Sequence, residues 1–269
     1  MKRNLRVMAL VALGLSVVST TGCNKLRARD QLNKGVASYR NARYEEAINH
    51  FQSAVSLDPS LENARLYLAT AYTQLYVPGV DTPENNQLAE QGIDQFKAVL
   101  EHDPKSVNSV KGIAYLYLQQ KKFEDAKTYY HKALEIDPND PESYYTLGVI
   151  AWTQAYQPRM AKRAELGLKP DQPLKDKNAC QSLKDKNWGT IQDGLDSLNK
   201  ALELRPDYDD AMAYINLLYR EKAELECGDL AARAADEKLG DQWYDKTMAT
   251  KKAKAEKQPS APGADQGGK

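Results

Sequence analysis

Three cysteines, three histidines and a scatter of carboxylates are the residues of this chain that could support covalent, acid–base or metal chemistry. Their spacing assembles none of the usual devices. There is no C-x-x-C, H-E-x-x-H, G-x-S-x-G or G-x-G-x-x-G, and no complete G-x-x-x-x-G-K-S/T. Three Cys and three His are too few for a zinc ribbon or an iron–sulfur protein, so neither metal nor cofactor is expected. Acid–base catalysis by carboxylates needs two groups whose surroundings push their pKa values apart. Glu84, Asp171, Asp176 and Asp185 have no such contrast around them, and His50, His102 and His131 fall where an outer, solvated helix face is expected. No catalytic residue is therefore assigned.

Composition narrows the class further. With 269 residues, 42% of them hydrophobic, and a mean hydropathy of -0.67, the chain is globular and not a polytopic membrane protein. Acidic and basic residues balance at 37 each; removing Lys2, Arg3 and Arg6 with the first 22 residues leaves 34 basic residues against 37 acidic ones. A nucleic-acid binder needs the opposite excess to displace counterions from phosphates, so no nucleic acid is expected as a partner.

The first 22 residues read as an address. After the three basic residues comes an apolar stretch from Val7 to Val18, then Ser19, Thr20, Thr21 and Gly22 ahead of Cys23, the layout of a secretory signal peptide. The apolar stretch is shorter than the roughly 20 residues that span a bilayer. Gly22–Cys23 resembles the lipobox of bacterial lipoproteins, in which the cysteine thiol is diacylated and becomes the new N-terminus, although Thr20 stands where leucine is usual. The resemblance implies a lipidated Cys23, a short linker over 23–27, and a cell-envelope location. Asn24 is not the Asp that retains many lipoproteins at the inner membrane, which points to the outer membrane facing the periplasm. The alternative is a plain signal peptide with Cys23 as a passenger.

Internal repetition dictates the fold. Pro59, Pro104, Pro138 and Pro206 each follow an acidic or basic residue at intervals of 45, 34 and 68 residues, so a 34-residue unit recurs, lengthened by eleven residues in its second copy and by thirty-four in its fourth. The third copy is the most regular, with Ile113, Ala114 and Tyr117 followed by Phe123, Ala126, Tyr130 and Ala133. This period and these positions resemble the tetratricopeptide repeat, a helix–turn–helix unit. The resemblance implies an all-α fold, an α-solenoid of about five repeats over 28–250, with insertions near 74–87 and 153–186 at one edge. Leu230 to Thr250 reads as the C-terminal capping helix, and 251–269, rich in Lys, Ala, Gln, Pro and Gly, as a disordered tail. Asp140, Thr82, Ser60 and Ser106 are placed as helix caps. Pro158 is expected to stop or kink its helix, and the insertion after it, with eight basic residues against four acidic, to form a solvated basic flap.

Repeats of this family bind an extended or helical segment along their first helices, and the resemblance places Tyr39, Tyr67, Lys111, Tyr115, Tyr145, Trp152 and Tyr214 in that groove. Some of these rings serve instead, on the alternative reading, as packing for the insertions or terminal helix. The subfamily that clamps C-terminal carboxylates carries Lys and Asn where this chain has Leu32 and Val36, so no such clamp is expected. With Cys23 lipidated, two thiols remain in an oxidising compartment. Stacked repeats would bring Cys180, in the long insertion, to the same edge as Cys227, so a disulfide between them is expected. The function implied is a non-catalytic scaffold or adaptor with a protein or peptide partner, anchored to a membrane by lipid. A stoichiometric subunit of an envelope assembly is the second reading, and an envelope hydrolase the third.

Overall fold

In the computed structural model, residues 23–169, 172 and 174–257 are described; the signal segment and residues 258–269 of the expected tail lie outside them. Among the described residues there are ten helices and no strand. They are α1 (23–40), α2 (Tyr44–Leu57), α3 (Glu62–Leu75), α4 (Pro83–Leu100), α5 (Val107–Gln119), α6 (Phe123–Ile136), α7 (Pro141–Glu165), α8 (Lys177–Leu204), α9 (Asp209–Glu224) and α10 (Leu230–Lys257). No helix among the described residues is long and apolar enough to cross a membrane. The chain divides into two compact units, one ending at Ile136 and the other beginning at Asp137.

In the first unit, helix–turn–helix pairs stack through apolar faces. Ala47, Phe51, Leu68 and Tyr72 form one core cluster, against which Leu32, Val36 and Tyr39 of α1 pack; Ala69, Phe96, Ile113 and Leu116 form a second. The turns close by the same device. Arg43 N–H reaches Ser38 O and Lys122 N–H reaches Tyr117 O, each at 2.9 Å, through the left-handed residues Ala42 (φ 56) and Lys121 (φ 58). This pattern satisfies carbonyls that a helix end leaves open. A Cβ on Gly112 would lie 2.4 Å from the Phe96 ring, which is why α4 and α5 approach as they do.

The second unit holds a larger core of Ala155, Leu183, Ile191, Leu195, Leu198, Ile215, Leu218 and their neighbours. Gly148 is its point of closest approach: a Cβ there would sit 2.3 Å from Leu198 Cγ. Asp140 caps α7 by accepting from Glu142 N–H at 3.2 Å with Pro141 at the first helical position, and Thr82 caps α4 in the first unit.

Several local expectations change. Ser60 does not cap α3, because its hydroxyl donates to Asp58 Oδ1 at 2.6 Å and Leu61 holds the cap position. Ser106 stands at the cap of α5 without a capping bond, its hydroxyl 3.0 Å from that of Ser109. The expected linker over 23–27 is already helical, and the last helix runs on to Lys257. The largest difference concerns the long insertion. Helix α7 continues through Pro158 to Glu165, and α8 begins at Lys177, so most of the insertion extends two helices and only a short connection remains. Pro158 cannot donate in the hydrogen-bond ladder, but the turns after it are held by buried side chains, and tertiary packing overrides local propensity.

Those side chains are Arg159 and Arg163, 9% and 2% exposed, both expected from sequence in a solvated flap. Arg159 donates to both carboxylate oxygens of Glu221 on α9, at 2.6 and 2.7 Å. Arg163 donates to Glu224 at 3.3 Å and to the carbonyls of Lys169 and Gln172, so one guanidinium ties the connection after α7 to α9. The shorter insertion is organised by Asn85. Its amide donates to Val77 O and Val80 O at 2.9 and 2.7 Å and accepts from Val77 N–H at 2.8 Å.

Cys180 and Cys227 are joined by a disulfide with Cα atoms 5.5 Å apart, linking α8 to the segment after α9. Nearby, Lys222 on α9 donates to Asp236 Oδ1 and Lys184 to Glu226 Oε2, at 2.8 and 2.9 Å. Asp236 is 4% exposed, and burial pushes its carboxyl above the usual range, with Glu226 beside it opposing the pull of Lys222. An acid with a raised folded-state pKa destabilises the fold when ionised, and that cost disappears as pH falls through the raised value. Asp236→Asn keeps the bond from Lys222 and offers an N–H toward Glu226. It should therefore melt above the parent at pH 7, with the gap closing as pH approaches 4; a variant that melts lower at pH 7 would contradict this assignment.

Candidate functional site

The seven groove residues expected from sequence divide between the two units. In the first, Tyr67 and Tyr115 stand on α3 and α5, 38% and 41% exposed. The Tyr67 ring stacks on Phe51 with centroids 5.5 Å apart, and Tyr39, half-buried on α1, meets the edge of Tyr44 at 5.3 Å. Lys111 is half-buried, one helical turn before Tyr115 on α5. These residues are spaced along three helices and form no continuous ring contact with one another.

In the second unit the outcome is different. Tyr145 and Trp152 lie seven residues apart on α7, two turns along one face, and Tyr214 lies on α9. The Tyr145 and Tyr214 rings meet edge to face at 5.7 Å, and Trp152 meets Tyr214 in the same way at 5.6 Å. Two rings that sequence reasoning did not select extend the row at its ends. Tyr208, just before α9, lies 4.9 Å from Tyr145, and Tyr156 stacks on Trp152 at 4.9 Å. The row therefore runs Tyr208, Tyr145, Tyr214, Trp152, Tyr156. Tyr156 follows Trp152 by four residues, a helical-neighbour signal present in the sequence. Tyr208 gave no such signal, because its membership depends on how α7 and α9 pack.

Each of the three central rings rests against the core of the unit while remaining partly exposed. Cations close both ends: the Arg205 guanidinium lies 4.4 Å from the Tyr208 centroid and that of Arg159 lies 5.5 Å from the Tyr156 centroid. Glu142 accepts from Tyr208 OH at 2.8 Å and from Arg205 at 2.7 Å, holding the first ring in place. Burial pushes the Tyr145 hydroxyl up to about 12, with Tyr214, Asp210 and Glu142 adding to it. Burial likewise raises Tyr208, helped by its bond to Glu142, and raises Tyr214, helped by Asp210. All three are neutral phenols at ordinary pH, so the row offers apolar ring faces and edges together with hydroxyl groups. The indole Nε1 of Trp152 is buried and has no hydrogen-bond partner among the described residues.

His50 Nδ1 is 2.7 Å from Gln31 Oε1, and His102 and His131 are exposed. Among the described residues, no group of three or more His, Cys, Asp and Glu side chains comes together as a metal site. Cys23 is exposed at the start of α1.

Comparison with known proteins agrees with this architecture. Residues 31–61 and 110–140 match models of the tetratricopeptide repeat. The chain is 25% identical over 207 residues to regulator of microtubule dynamics protein 3 of Rattus norvegicus, and the match spans 73% of this chain and 40% of that relative's length. Among solved structures it is similar to the MamA protein, with a TM-score of 0.59 at 13% identity, covering 88% of this chain and 98% of the other. It is also similar to YrrB, a tetratricopeptide-repeat protein with an unusual peptide-binding site, with a TM-score of 0.51 at 14% identity, covering 84% of this chain and 90% of that one. The chain thus carries tetratricopeptide repeats at 31–61 and 110–140 and has the fold of a tetratricopeptide-repeat solenoid.

Proposed function

We propose that this protein is a non-catalytic scaffold of the bacterial cell envelope that holds an extended protein segment against the aromatic row of α7 and α9. The observation that carries the reading is the row itself. Five rings run in continuous contact along α7 and the start of α9, and Tyr145, Tyr214, Trp152 and Tyr156 stay partly exposed, a row of rigid, low-entropy contact surface. An extended segment supplies apolar side chains for the partly exposed rings and carbonyls for the hydroxyl donors of Tyr145 and Tyr214. YrrB, a protein of the same fold, has a peptide-binding site, which supports the class of partner. A hot-spot aromatic truncated to alanine costs about 2 kcal/mol or more, about 30-fold in Kd. Tyr145→Ala and Tyr214→Ala, each checked for native melting, should each weaken a crosslink-identified partner by about that factor. Retention of full affinity by both would remove the row from the binding face.

The envelope location rests on the signal layout and on Gly22–Cys23. An exposed cysteine at the start of α1 leaves its thiol open to acylation. Each buried methylene of an acyl chain adds about 0.8 kcal/mol of membrane affinity, so two or three chains anchor a protein of this size firmly. Cys23→Ser should abolish lipoprotein processing and move the protein to the soluble fraction. Unchanged membrane fractionation of that variant, with normal cleavage, would exclude lipid anchoring at this position.

A further inference from the structure

Helix α1 is helical from Cys23 onward, so no flexible linker separates the proposed acylation site from the folded first unit. Helix geometry therefore fixes which side chains share the side of the cysteine. At about 100° per residue, Lys25, Arg29, Leu26, Cys23 and Arg27 follow in that order around an arc of about 200°. All five are exposed, Leu26 by 72%, whereas Ala28, opposite the arc, is fully buried. Leu32, Val36 and Tyr39 continue the buried side against the core of the unit. An exposed leucine thus lies beside the cysteine, with basic residues on both flanks.

These cations are not used by the fold. Lys25, Arg27 and Arg29 form no salt bridge among the described residues. Asp30 is neutralised by Lys34 Nζ at 2.7 Å. Asp58, just after α2, feels the charges of Lys25 and Arg29, although its carboxyl is held below the usual range first by the hydroxyl of Ser60. Lys25, Arg27, Arg29 and Lys34 against Asp30 and Asp58 leave two net positive charges. From Cys23 to Arg29 the helix rises about 9 Å, about one screening length at physiological ionic strength. Acyl chains that hold Cys23 at a headgroup layer therefore bring all three unpaired cations within range of its charge, whatever the tilt of α1. Long basic side chains can reach phosphates while a leucine between them enters the acyl boundary.

Resting on the reading of Cys23 as a lipid anchor, we propose that the first two turns of α1 form a second membrane contact, a surface for anionic phospholipid headgroups in which Lys25, Arg27 and Arg29 meet phosphates and Leu26 enters the interface. The contact holds the first unit against the bilayer instead of leaving it to swing on its acyl chains. One net cation beside an anionic leaflet raises partitioning about fivefold, so two raise it about 30-fold.

The test attaches one alkyl chain in vitro. The chain beginning at Cys23 is alkylated there with tetradecyl maleimide, since Cys180 and Cys227 are closed by their disulfide. A single chain of this length gives only weak, reversible binding, so a further contact is readable by co-sedimentation with vesicles. The parent should bind vesicles of phosphatidylcholine mixed with phosphatidylglycerol about 30-fold more tightly than phosphatidylcholine alone, and high salt should erase the difference. Lys25→Gln/Arg27→Gln/Arg29→Gln, altering exposed positions only, should keep native melting and bind both vesicles alike. Lys238→Gln/Lys252→Gln/Lys257→Gln, which removes three exposed cations from α10, should keep the parent's preference. Leu26→Ser should weaken binding to both vesicles. Equal affinity of the parent for the two vesicles overturns the proposal, as do a preference that survives in the α1 variant and one that is lost equally in the α10 variant. An α1 variant that keeps its vesicle preference but loses a crosslinked protein partner assigns these cations to an acidic protein surface and overturns it too. Because the alkyl chain is added in vitro, a missing preference leaves the anchor reading standing. Normal processing and membrane fractionation of Cys23→Ser in cells removes the anchor without bearing on the vesicle result.

Discussion

Replacing Glu221 with alanine should lower the free energy of unfolding of the second unit by about 3–5 kcal/mol. The Glu221 side chain is 5% exposed and that of Arg159 is 11% exposed, and the pair makes two parallel charge-assisted hydrogen bonds at 2.6 and 2.7 Å. Removing the carboxylate leaves a guanidinium that cannot deprotonate in a site it cannot leave without unwinding the end of α7. The cost comes from that stranded charge more than from the lost attraction. The expected remedy follows: Arg159→Met combined with Glu221→Leu removes both charges and fills a similar volume, and it should recover most of the stability. All three tryptophans, Trp152, Trp188 and Trp243, belong to the second unit, so denaturant unfolding followed by tryptophan emission measures the change where it occurs. A loss below about 1 kcal/mol in the single variant, typical of an exposed pair, would mean that solvent reaches this site.

Loss of the Cys180–Cys227 bond should have an effect of similar size. It closes a loop with a sequence separation of 47 residues, for which the chain-entropy model gives about 4 kcal/mol. That loop contains nearly all of α8 and all of α9, so the bond limits the unfolded ensemble of most of the unit's core. Cys180 is 1% exposed, and partly buried ion pairs lie near the bond, Lys184 of α8 with Glu226 and Lys222 of α9 with Asp236. The Cys180→Ser/Cys227→Ser chain should unfold at clearly lower denaturant than the oxidised parent, and the parent should match it after reduction. Unreduced protein should yield one linked peptide containing both cysteines. Two alkylatable thiols in freshly isolated material would show that the bond does not form.

The two effects share a location, the C-terminal end of α7 and the N-terminal end of α8, where the inserted residues lengthen both helices and are tied to α9 and the segment after it. Ordinary repeats bury their inner face against the next copy. The extended turns of α7 and α8 instead depend on a disulfide, on buried arginines and on the beginning of α10. Anchoring of this kind keeps the upper half of α7 rigid, including Trp152 and Tyr156, and a rigid row of rings loses less entropy when a segment docks on it.

How much of this was available from sequence depends on the range of the interaction involved. The repeat is a local pattern: small residues such as Gly148 and Ala126, aromatic residues such as Phe51 and Phe123, and prolines after each second helix recur because every copy meets the same packing problem. That periodicity located the two places where residues had been added, and its resemblance to the tetratricopeptide repeat implied the all-α class and the helix pairing. The same resemblance placed Tyr145, Trp152 and Tyr214 on first helices, and the seven-residue spacing of Tyr145 and Trp152 puts those two on one helix face. The tertiary structure decided what spacing does not encode. Pro158 reads as a helix breaker until Glu221, 62 residues after Arg159, is seen to hold the next turn. Arg159 and Arg163 read as solvent-facing charge because sequence shows a residue's type without its partners, and a buried ion pair differs from an exposed one only in its surroundings. Tyr208 joins the aromatic row solely through the packing of α7 against α9. Local periodicity is set by neighbours along the chain, whereas burial, pairing of charges and continuity of a surface are set by residues that only folding brings together.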